Sequence, residues 1–280
     1  MTAFQAMQLG LVQGIAEFLP ISSSGHLSIF QNFFGMVTAE NSNMLFDVLL
    51  HLATLLSVCA AYWRELLDII RDTIGFVRSI GHPAPGNRQT RYPAARLLLM
   101  LFFATLPLFL VLLFNDKVEG LYNSTAFIGI MLLLTGAMLY CSDHMERGSA
   151  TEKTMRVKDA LMIGLCQVVA TLPGLSRSGT TITAGLARGL DREFAVKFSF
   201  LLSLPAVLGA NFLTLLDAIQ EGNIDLTQIP VYLLGMLVAA VFGYLSIRLV
   251  KYVSQKGKFG WFAWYCGAAG IITLLLTIAL

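Results

Sequence analysis

The stretch Gln13-Gly-Ile-Ala-Glu-Phe-Leu-Pro-Ile-Ser-Ser-Ser-Gly-His26 has a partner 154 positions later (13 to 167), Gln167-Val-Val-Ala-Thr-Leu-Pro-Gly-Leu-Ser-Arg-Ser-Gly179. The two stretches align without a gap, and the identical residues that fall into register are Gly10 with Gly164, Leu11 with Leu165, Gln13 with Gln167, Ala16 with Ala170, Ser22 with Ser176, Ser24 with Ser178 and Gly25 with Gly179. The match predicts that the chain contains two copies of one structural unit.

The two copies differ at the residues that could carry chemistry. The first copy holds Glu17, Ser23 and His26, whereas the second places Arg177 opposite Ser23. A carboxylate, a hydroxyl, an imidazole and a guanidinium together suit the chemistry of phosphate groups.

The composition indicates an integral membrane protein. Of the 280 residues, 56% are hydrophobic and only 13% are charged, and the mean hydropathy is +0.71, whereas soluble domains carry about 25% charged residues. The net charge of +2 is too small to suggest a nucleic acid as partner.

Long apolar runs predict an all-α polytopic protein, because a helix needs about 20 apolar residues to span a bilayer. The candidate spanning helices are 45–63, 94–114, 122–142, 193–216, 229–250 and 260–280. The two blocks that contain the repeated motif, about 3–35 and 158–191, are each interrupted by Pro and Gly. Interrupted helices at matching positions in two halves of a membrane protein are typical of a binding site.

The charges of the connecting segments predict the topology. Segments 64–96, 143–159 and 248–258 are rich in Lys and Arg, whereas 115–121 and 217–228 are mainly acidic. The positive-inside rule places the first three in the cytoplasm and the other two outside.

This arrangement leaves one net crossing between segments 143–159 and 217–228, although two apolar blocks lie between them. We therefore predict that block 158–191 enters from the cytoplasm and turns back, and that block 3–35 does so from outside. The single membrane domain would then be an inverted repeat, 1–142 and 143–280, in which each half has a re-entrant helical hairpin and three spanning helices.

The tips of the two hairpins are candidates for an anion site near the membrane midplane. Ser and Thr before a renewed helix are good N-caps, and helix N-termini attract phosphate. Arg177 adds a two-pronged donor. The candidate substrate-binding residues are Ser22, Ser24, Gly25, Ser176, Ser178, Gly179, Thr180 and Thr181.

Four further expectations concern the chemistry itself. A carboxylate inside the membrane is a functional candidate, and Glu17 could hold a divalent cation, position a hydroxyl or pair with Arg177. Gln13, four residues earlier on the same helix face, could supply an amide or a carbonyl oxygen. Ser23 is the candidate nucleophile, and His26 is the candidate acid–base group, although attack by His26 itself stays open.

These motifs resemble those of the bacterial undecaprenyl-diphosphate phosphatase family, the type linked to bacitracin resistance. The resemblance covers nearly the whole chain and is carried by Gln13 to Glu17, by Phe18 to His26 and by Pro173 to Gly179. Phe198-Ser-Phe-Leu-Leu and Pro205 are also similar to the family. Position 13 is Gln here, which leaves Glu17 as the only carboxylate of its motif.

The resemblance implies hydrolysis of the terminal phosphate of undecaprenyl diphosphate, which recycles the lipid carrier for cell-wall synthesis. It also implies a divalent cation, Mg²⁺ or Ca²⁺, with Glu17 and Gln13 as candidate ligands, and a multi-pass protein of the inner membrane whose site faces the periplasm. The expected partners are the lipid substrate and membrane lipids, and a homodimer stays open. The alternative function is a polyprenyl-phosphate flippase that uses the same midplane anion site, since broken helices in an inverted repeat are transporter architecture.

Overall fold

The computed structural model describes residues 1–34, 44–80, 91–113, 115–122, 124–220 and 226–279, and these residues are almost entirely helical. The α-helices are α1 Ala3–Phe18, α2 Ser23–Phe34, α3 Met44–Ala61, α4 Trp63–Arg78, α5 Pro93–Thr105, α6 Asn115–Tyr122, α7 Thr125–Asp143, α8 Val157–Val169, α9 Arg177–Ala187, α10 Arg192–Gln220, α11 Ile229–Lys256 and α12 Gly260–Ala279. Two 3₁₀ helices, Leu106–Leu113 and Leu226–Gln228, extend α5 and precede α11.

Within the described residues, five helical segments are each long and apolar enough to cross a membrane, which confirms five of the six predicted spans. They are Pro93–Val111, Thr125–Asp143, Arg192–Leu216, Ile229–Lys256 and Gly260–Ile278. The remaining predicted span, 45–63, coincides with α3, and α3 together with α4 is a sixth candidate span, which bends by 76° where the two helices join. Helix α4 is amphipathic and exposes an apolar stripe that includes Leu67, Ile70, Ile74 and Val77, as expected of a helix that lies in the membrane interface.

Both repeated blocks are broken into two short helices, as predicted. Helices α1 and α2 have 16 and 12 residues, and α8 and α9 have 13 and 11. At 1.5 Å per residue the longest of them covers about 24 Å, which is less than the hydrocarbon thickness of about 30 Å. The breaks contain Pro20 and Pro173, and the chain turns with positive φ at Ser22 (73°) and Gly174 (89°).

Each pair of short helices folds back on itself. Asp159 near the start of α8 accepts two hydrogen bonds from Arg188, which directly follows α9. In the first block, Leu27 of α2 belongs to the same apolar cluster as Ala6 and Leu9 near the start of α1. The helical hairpins are therefore present, and their entry into the membrane from opposite faces stays a prediction.

Glycines at equivalent positions of the two repeats make equivalent close contacts between helices. A Cβ atom on Gly10 of α1 would lie 2.3 Å from the carbonyl oxygen of Gly235 in α11, and one on Gly164 of α8 would lie 2.3 Å from that of Ala104 in α5. Small residues permit this approach in membrane proteins, where van der Waals contact between close helices, rather than the exclusion of water, drives their association. Gly14 continues the α1 contact one turn later, where a Cβ atom would lie 2.6 Å from the carbonyl oxygen of Ala239.

The cation-rich segments meet at one end of the molecule, as their common predicted location requires. Arg96 donates to the carbonyl oxygen of Met155, and Lys251 donates to that of Ala61. The carboxylate of Asp143 accepts hydrogen bonds from the first residues of α12 and lies 3.5 Å from Arg192. Three charged positions used in the topology prediction, Arg88, Glu221 and Asp225, lie outside the described residues.

Candidate active site

The tips of the two hairpins touch. The hydroxyl of Ser178 donates to the carbonyl oxygen of Leu19 at 3.4 Å. A Cβ atom on Gly25 would lie 3.0 Å from the Cα atom of Gly174, so this contact needs a residue without a side chain. The predicted meeting of the two motifs, far apart in sequence, is therefore confirmed.

Equivalent serines cap the helices at the two tips. Ser22 and Ser176 are the N-caps: their hydroxyls accept the backbone N–H of Gly25 at 3.2 Å and of Gly179 at 3.1 Å. Each capping hydroxyl also lies within hydrogen-bonding distance of a second serine, Ser24 at 3.4 Å and Ser178 at 3.2 Å.

The capping hydroxyls are thus already committed to holding the tips. What remains for an anion is the backbone N–H groups of the first helical residues, which have no intrahelical acceptor, together with the positive ends of the α2 and α9 dipoles.

Glu17 is the centre of the site, where it joins the two tips. Its Oε1 accepts a hydrogen bond from Nη2 of Arg177 at 2.5 Å. Its Oε2 accepts one from the hydroxyl of Ser23 at 2.8 Å and one from the side-chain amide of Gln13 at 3.1 Å. The carboxylate is buried, so of the three roles predicted for it, positioning a hydroxyl and pairing with Arg177 are both present in the geometry.

Arg177 uses only part of its donor capacity. Its Nη1 atom is buried and has no hydrogen-bond partner in the described part of the chain. A buried guanidinium N–H without an acceptor is costly, so this atom is a natural donor for an incoming anion.

The structure separates His26 from the Glu17 cluster. Its Nδ1 lies 2.8 Å from the carbonyl oxygen of Ser22, and its Nε2 lies 2.8 Å from the hydroxyl of Tyr265 in α12. The two rings are stacked with centroids 5.6 Å apart and an angle of 13°. Sequence reasoning missed Tyr265, because nothing in its surroundings marks it and it lies 239 positions from His26.

Two threonines of the predicted site have different surroundings. The hydroxyl of Thr181 lies 2.6 Å from that of Ser199, so it links α9 to α10. The hydroxyl of Thr180 is buried and has no partner among the described residues. Thr181 therefore supports the tip from behind, and Thr180 keeps a free hydroxyl.

His51 of α3 also reaches the site. Its Nε2 lies 4.0 Å from Oε2 of Glu17, and its Nδ1 lies 2.8 Å from the carbonyl oxygen of Asp47. The spacing of Asp47 and His51, four residues apart, does not by itself distinguish a site residue from a polar pair at a helix end. The contact depends on how α3 packs, which no local pattern reveals.

The donor set fits a divalent cation only if the substrate supplies most of the ligands. Among the described residues, no group of three or more His, Cys, Asp or Glu side chains could hold a metal ion. Glu17 offers one carboxylate, and Oε1 of Gln13 is buried and has no hydrogen-bond partner in the part of the chain that the structure describes. Such an oxygen pair suits Mg²⁺, which commonly binds one or two protein oxygens together with phosphate oxygens and water.

This chain is similar to the proteins of one family over nearly its whole length. The Bacitracin resistance protein BacA family matches residues 6–272. Proteins named undecaprenyl-diphosphatase are 41% identical in Methanobrevibacter smithii, over 99% of both chains, and 39% identical in Methanosphaera stadtmanae, over 98% of both. One from Halothermothrix orenii is 37% identical over 99% of this chain and 98% of its own. The chain therefore belongs to the BacA family.

Proposed function

We propose that this protein is an undecaprenyl-diphosphate phosphatase, a membrane hydrolase that removes the terminal phosphate of undecaprenyl diphosphate. The product, undecaprenyl phosphate, returns to cell-wall synthesis as lipid carrier. The observation that carries this proposal is the Glu17 carboxylate, which holds the Ser23 hydroxyl and the Arg177 guanidinium side by side between two helix N-termini.

The geometry supports a covalent mechanism with Ser23 as nucleophile. The Ser23 oxygen forms a bond to the terminal phosphorus, the bond from that phosphorus to the bridging oxygen breaks, and undecaprenyl phosphate leaves. The hydroxyl proton passes to Glu17, whose Oε2 already accepts it as a hydrogen bond at 2.8 Å. Water then attacks the phosphoserine, which releases inorganic phosphate and restores Ser23.

Binding of the diphosphate falls to the positive groups of the two tips. Nη1 of Arg177 is a buried donor that has no acceptor among the described residues, and α2 and α9 both begin at the junction of the tips. Charge stabilisation of the transferring phosphoryl group by such fixed donors supplies most of the acceleration in phosphoryl transfer.

His26 is the proposed proton carrier for the attacking water. It lies three residues after Ser23, on the same side of α2. Its Nε2 is held by Tyr265 rather than by the nucleophile, so its proton transfer belongs to the hydrolytic step. Glu17 acts as the general base for Ser23.

A divalent cation, Mg²⁺ or Ca²⁺, is part of the proposal. Glu17 and the free Oε1 of Gln13 would hold it, and it would neutralise charge on the phosphate oxygens. The protein would lie in the inner membrane with its site open to the periplasm, where the long polyprenyl tail can stay in the bilayer. Neither the contacts of the site nor the names of the relatives favours the flippase alternative.

The test is release of inorganic phosphate from undecaprenyl diphosphate by purified protein in proteoliposomes, with Mg²⁺, with Ca²⁺ and with EDTA. Ser23→Ala should abolish release, whereas the control Thr214→Ala should not, because the Thr214 hydroxyl donates to the carbonyl oxygen of Ala210 in its own helix α10. Wild-type protein that binds the lipid without releasing phosphate under any of the three conditions would overturn the proposal.

A further inference from the structure

One side chain at the site is unexplained by the reaction proposed above. Tyr265 lies on α12, and its hydroxyl is 2.8 Å from Nε2 of His26 on α2. The two rings are nearly parallel and stacked on each other.

The partners of His26 fix the tautomer of its neutral ring. A backbone carbonyl oxygen only accepts hydrogen bonds, so the contact between Nδ1 and Ser22 requires the proton on Nδ1. In the neutral ring, Nε2 then has a lone pair, and the hydroxyl of Tyr265 must donate to it. A protonated His26 would also stand in the first turns of α2, near the positive end of its dipole. The surroundings therefore favour the neutral ring with Nε2 as proton acceptor.

The fold holds Tyr265 in place. The next residue, Cys266, is fully buried, and its thiol lies 3.6 Å from the carbonyl oxygen of Pro20 at the first tip. Helix α12 also packs closely on α7, where a Cβ atom on Gly136 would lie 2.8 Å from the carbonyl oxygen of Ala263. Tyr265 is thus attached to the same tip that carries His26, and its hydroxyl position does not depend on a flexible loop.

We propose that Tyr265 is a positioning residue, which holds His26 as a neutral Nδ1–H imidazole by donating a hydrogen bond to its Nε2. The proposal rests on the phosphatase function and deepens it. It also restricts the role of His26, because the Nε2 lone pair is engaged by the phenol and is not free to attack phosphorus while that hydrogen bond is made.

Tyr265→Phe removes the hydroxyl and keeps the stacked ring. The control is Tyr140→Phe, which makes the same change beside another histidine. The rings of Tyr140 and His144 are tilted by 43° with centroids 4.6 Å apart, and Nδ1 of His144 bonds the carbonyl oxygen of residue 140. We expect Tyr265→Phe to lower kcat about tenfold or more, in line with loss of acid–base assistance, with KM nearly unchanged. Tyr140→Phe should leave both constants at wild-type values.

A spectroscopic readout separates positioning from general damage. The chain has four histidines, so ¹⁵N spectra of histidine-labelled protein can be assigned with His26→Ala. In wild type the Nε2 signal of His26 should be that of an unprotonated nitrogen that accepts a hydrogen bond. In Tyr265→Phe it should move to the position of a free imine nitrogen, while the signals of the other histidines stay.

The outcomes distinguish the two proposals. Wild-type protein without phosphate release overturns the phosphatase function. An active wild type together with a fully active Tyr265→Phe, or with an unchanged His26 signal in that variant, overturns only the role of Tyr265. The double variant His26→Ala/Tyr265→Phe should be no slower than His26→Ala, and a further loss would show that Tyr265 acts independently of His26.

Discussion

At the scale of single residues, the site depends on one carboxylate that serves two repeats. Glu17 comes from the first tip and binds Ser23 of that tip and Arg177 of the second. Breaking a buried ion pair leaves an unpaired charge and costs about 3–5 kcal/mol. The same contact therefore holds the tips together and prepares the nucleophile, so its variants need separate measurements of stability and turnover.

Arg177→Lys should lose about a hundredfold or more in phosphate release, although the positive charge is kept. A lysine ammonium is a point charge and cannot hold Glu17 with one prong and a phosphate with the other. Steady-state kinetics with undecaprenyl diphosphate measure the effect. The control is Arg188→Lys, whose partner Asp159 lies at the far end of the second hairpin. Near-normal turnover of Arg177→Lys would place Arg177 outside the phosphate site.

Ser23→Ala and Glu17→Gln should be strongly non-additive. If Glu17 prepares Ser23 for attack, either change alone stops the same step, and the double variant should be little slower than Ser23→Ala. Phosphate release by the two single variants and the double variant gives the coupling. Binding of the diphosphate lipid should survive in Ser23→Ala, because Arg177 and the helix N-termini remain. Independent, multiplying losses would show that Glu17 acts elsewhere in the reaction.

At the scale of elements, the position of Glu17 is set by how closely α1 approaches α11. Gly10 and Gly14 lie one turn apart on α1 and press against the backbone of α11. Helix α1 also carries Gln13 and Glu17, so any increase in the distance between the two helices moves both away from the second tip.

Gly14→Ala should therefore lower both stability and activity. A methyl group 2.6 Å from the carbonyl oxygen of Ala239 must push the helices apart, and overpacking of this kind costs about 1–3 kcal/mol. Thermal unfolding in detergent measures the loss, and phosphate release shows whether Glu17 has moved. Gly267→Ala is the control, because a Cβ atom there has nothing within 4 Å. Equal unfolding temperatures for the two variants would contradict the close contact.

The sequence predicts the elements better than it predicts their contacts. Pro20 and Pro173 remove backbone donors and mark the breaks directly, and five spans follow from apolar length alone. The contacts of Glu17 with Arg177 and of His26 with Tyr265 join residues 160 and 239 positions apart. They arise from the packing of hairpins and helices, which the periodicity of a single segment does not predict. The sequence offers the first of these contacts as one of three roles for Glu17, whereas Tyr265 lies in no repeated motif.

At the scale of the whole molecule, the cation-rich segments lie together at one end, and this predicts the orientation of the protein in the membrane. Arg188 after α9 bonds Asp159 at the start of α8, so both ends of the second hairpin share that end with Lys251 and Arg96. Moving this end across a bilayer during insertion would carry many positive charges against the positive-inside rule. The end should therefore stay in the cytoplasm, which leaves the first hairpin to enter from the opposite side.

Cysteine labelling in intact cells tests this orientation. In a background without Cys59, Cys141, Cys166 and Cys266, a membrane-impermeant maleimide should label Thr227→Cys, which precedes α11 on the predicted outer side. It should label Lys153→Cys, exposed between α7 and α8, only after the membrane is permeabilised. A third position, Thr2→Cys at the N-cap of α1, should behave like 227, because the first hairpin is predicted to start outside. Labelling of Lys153→Cys in intact cells would show that the protein has the opposite orientation. Labelling of Thr227→Cys but not of Thr2→Cys would mean that the first hairpin enters from the cytoplasm and that the two repeats are not inverted.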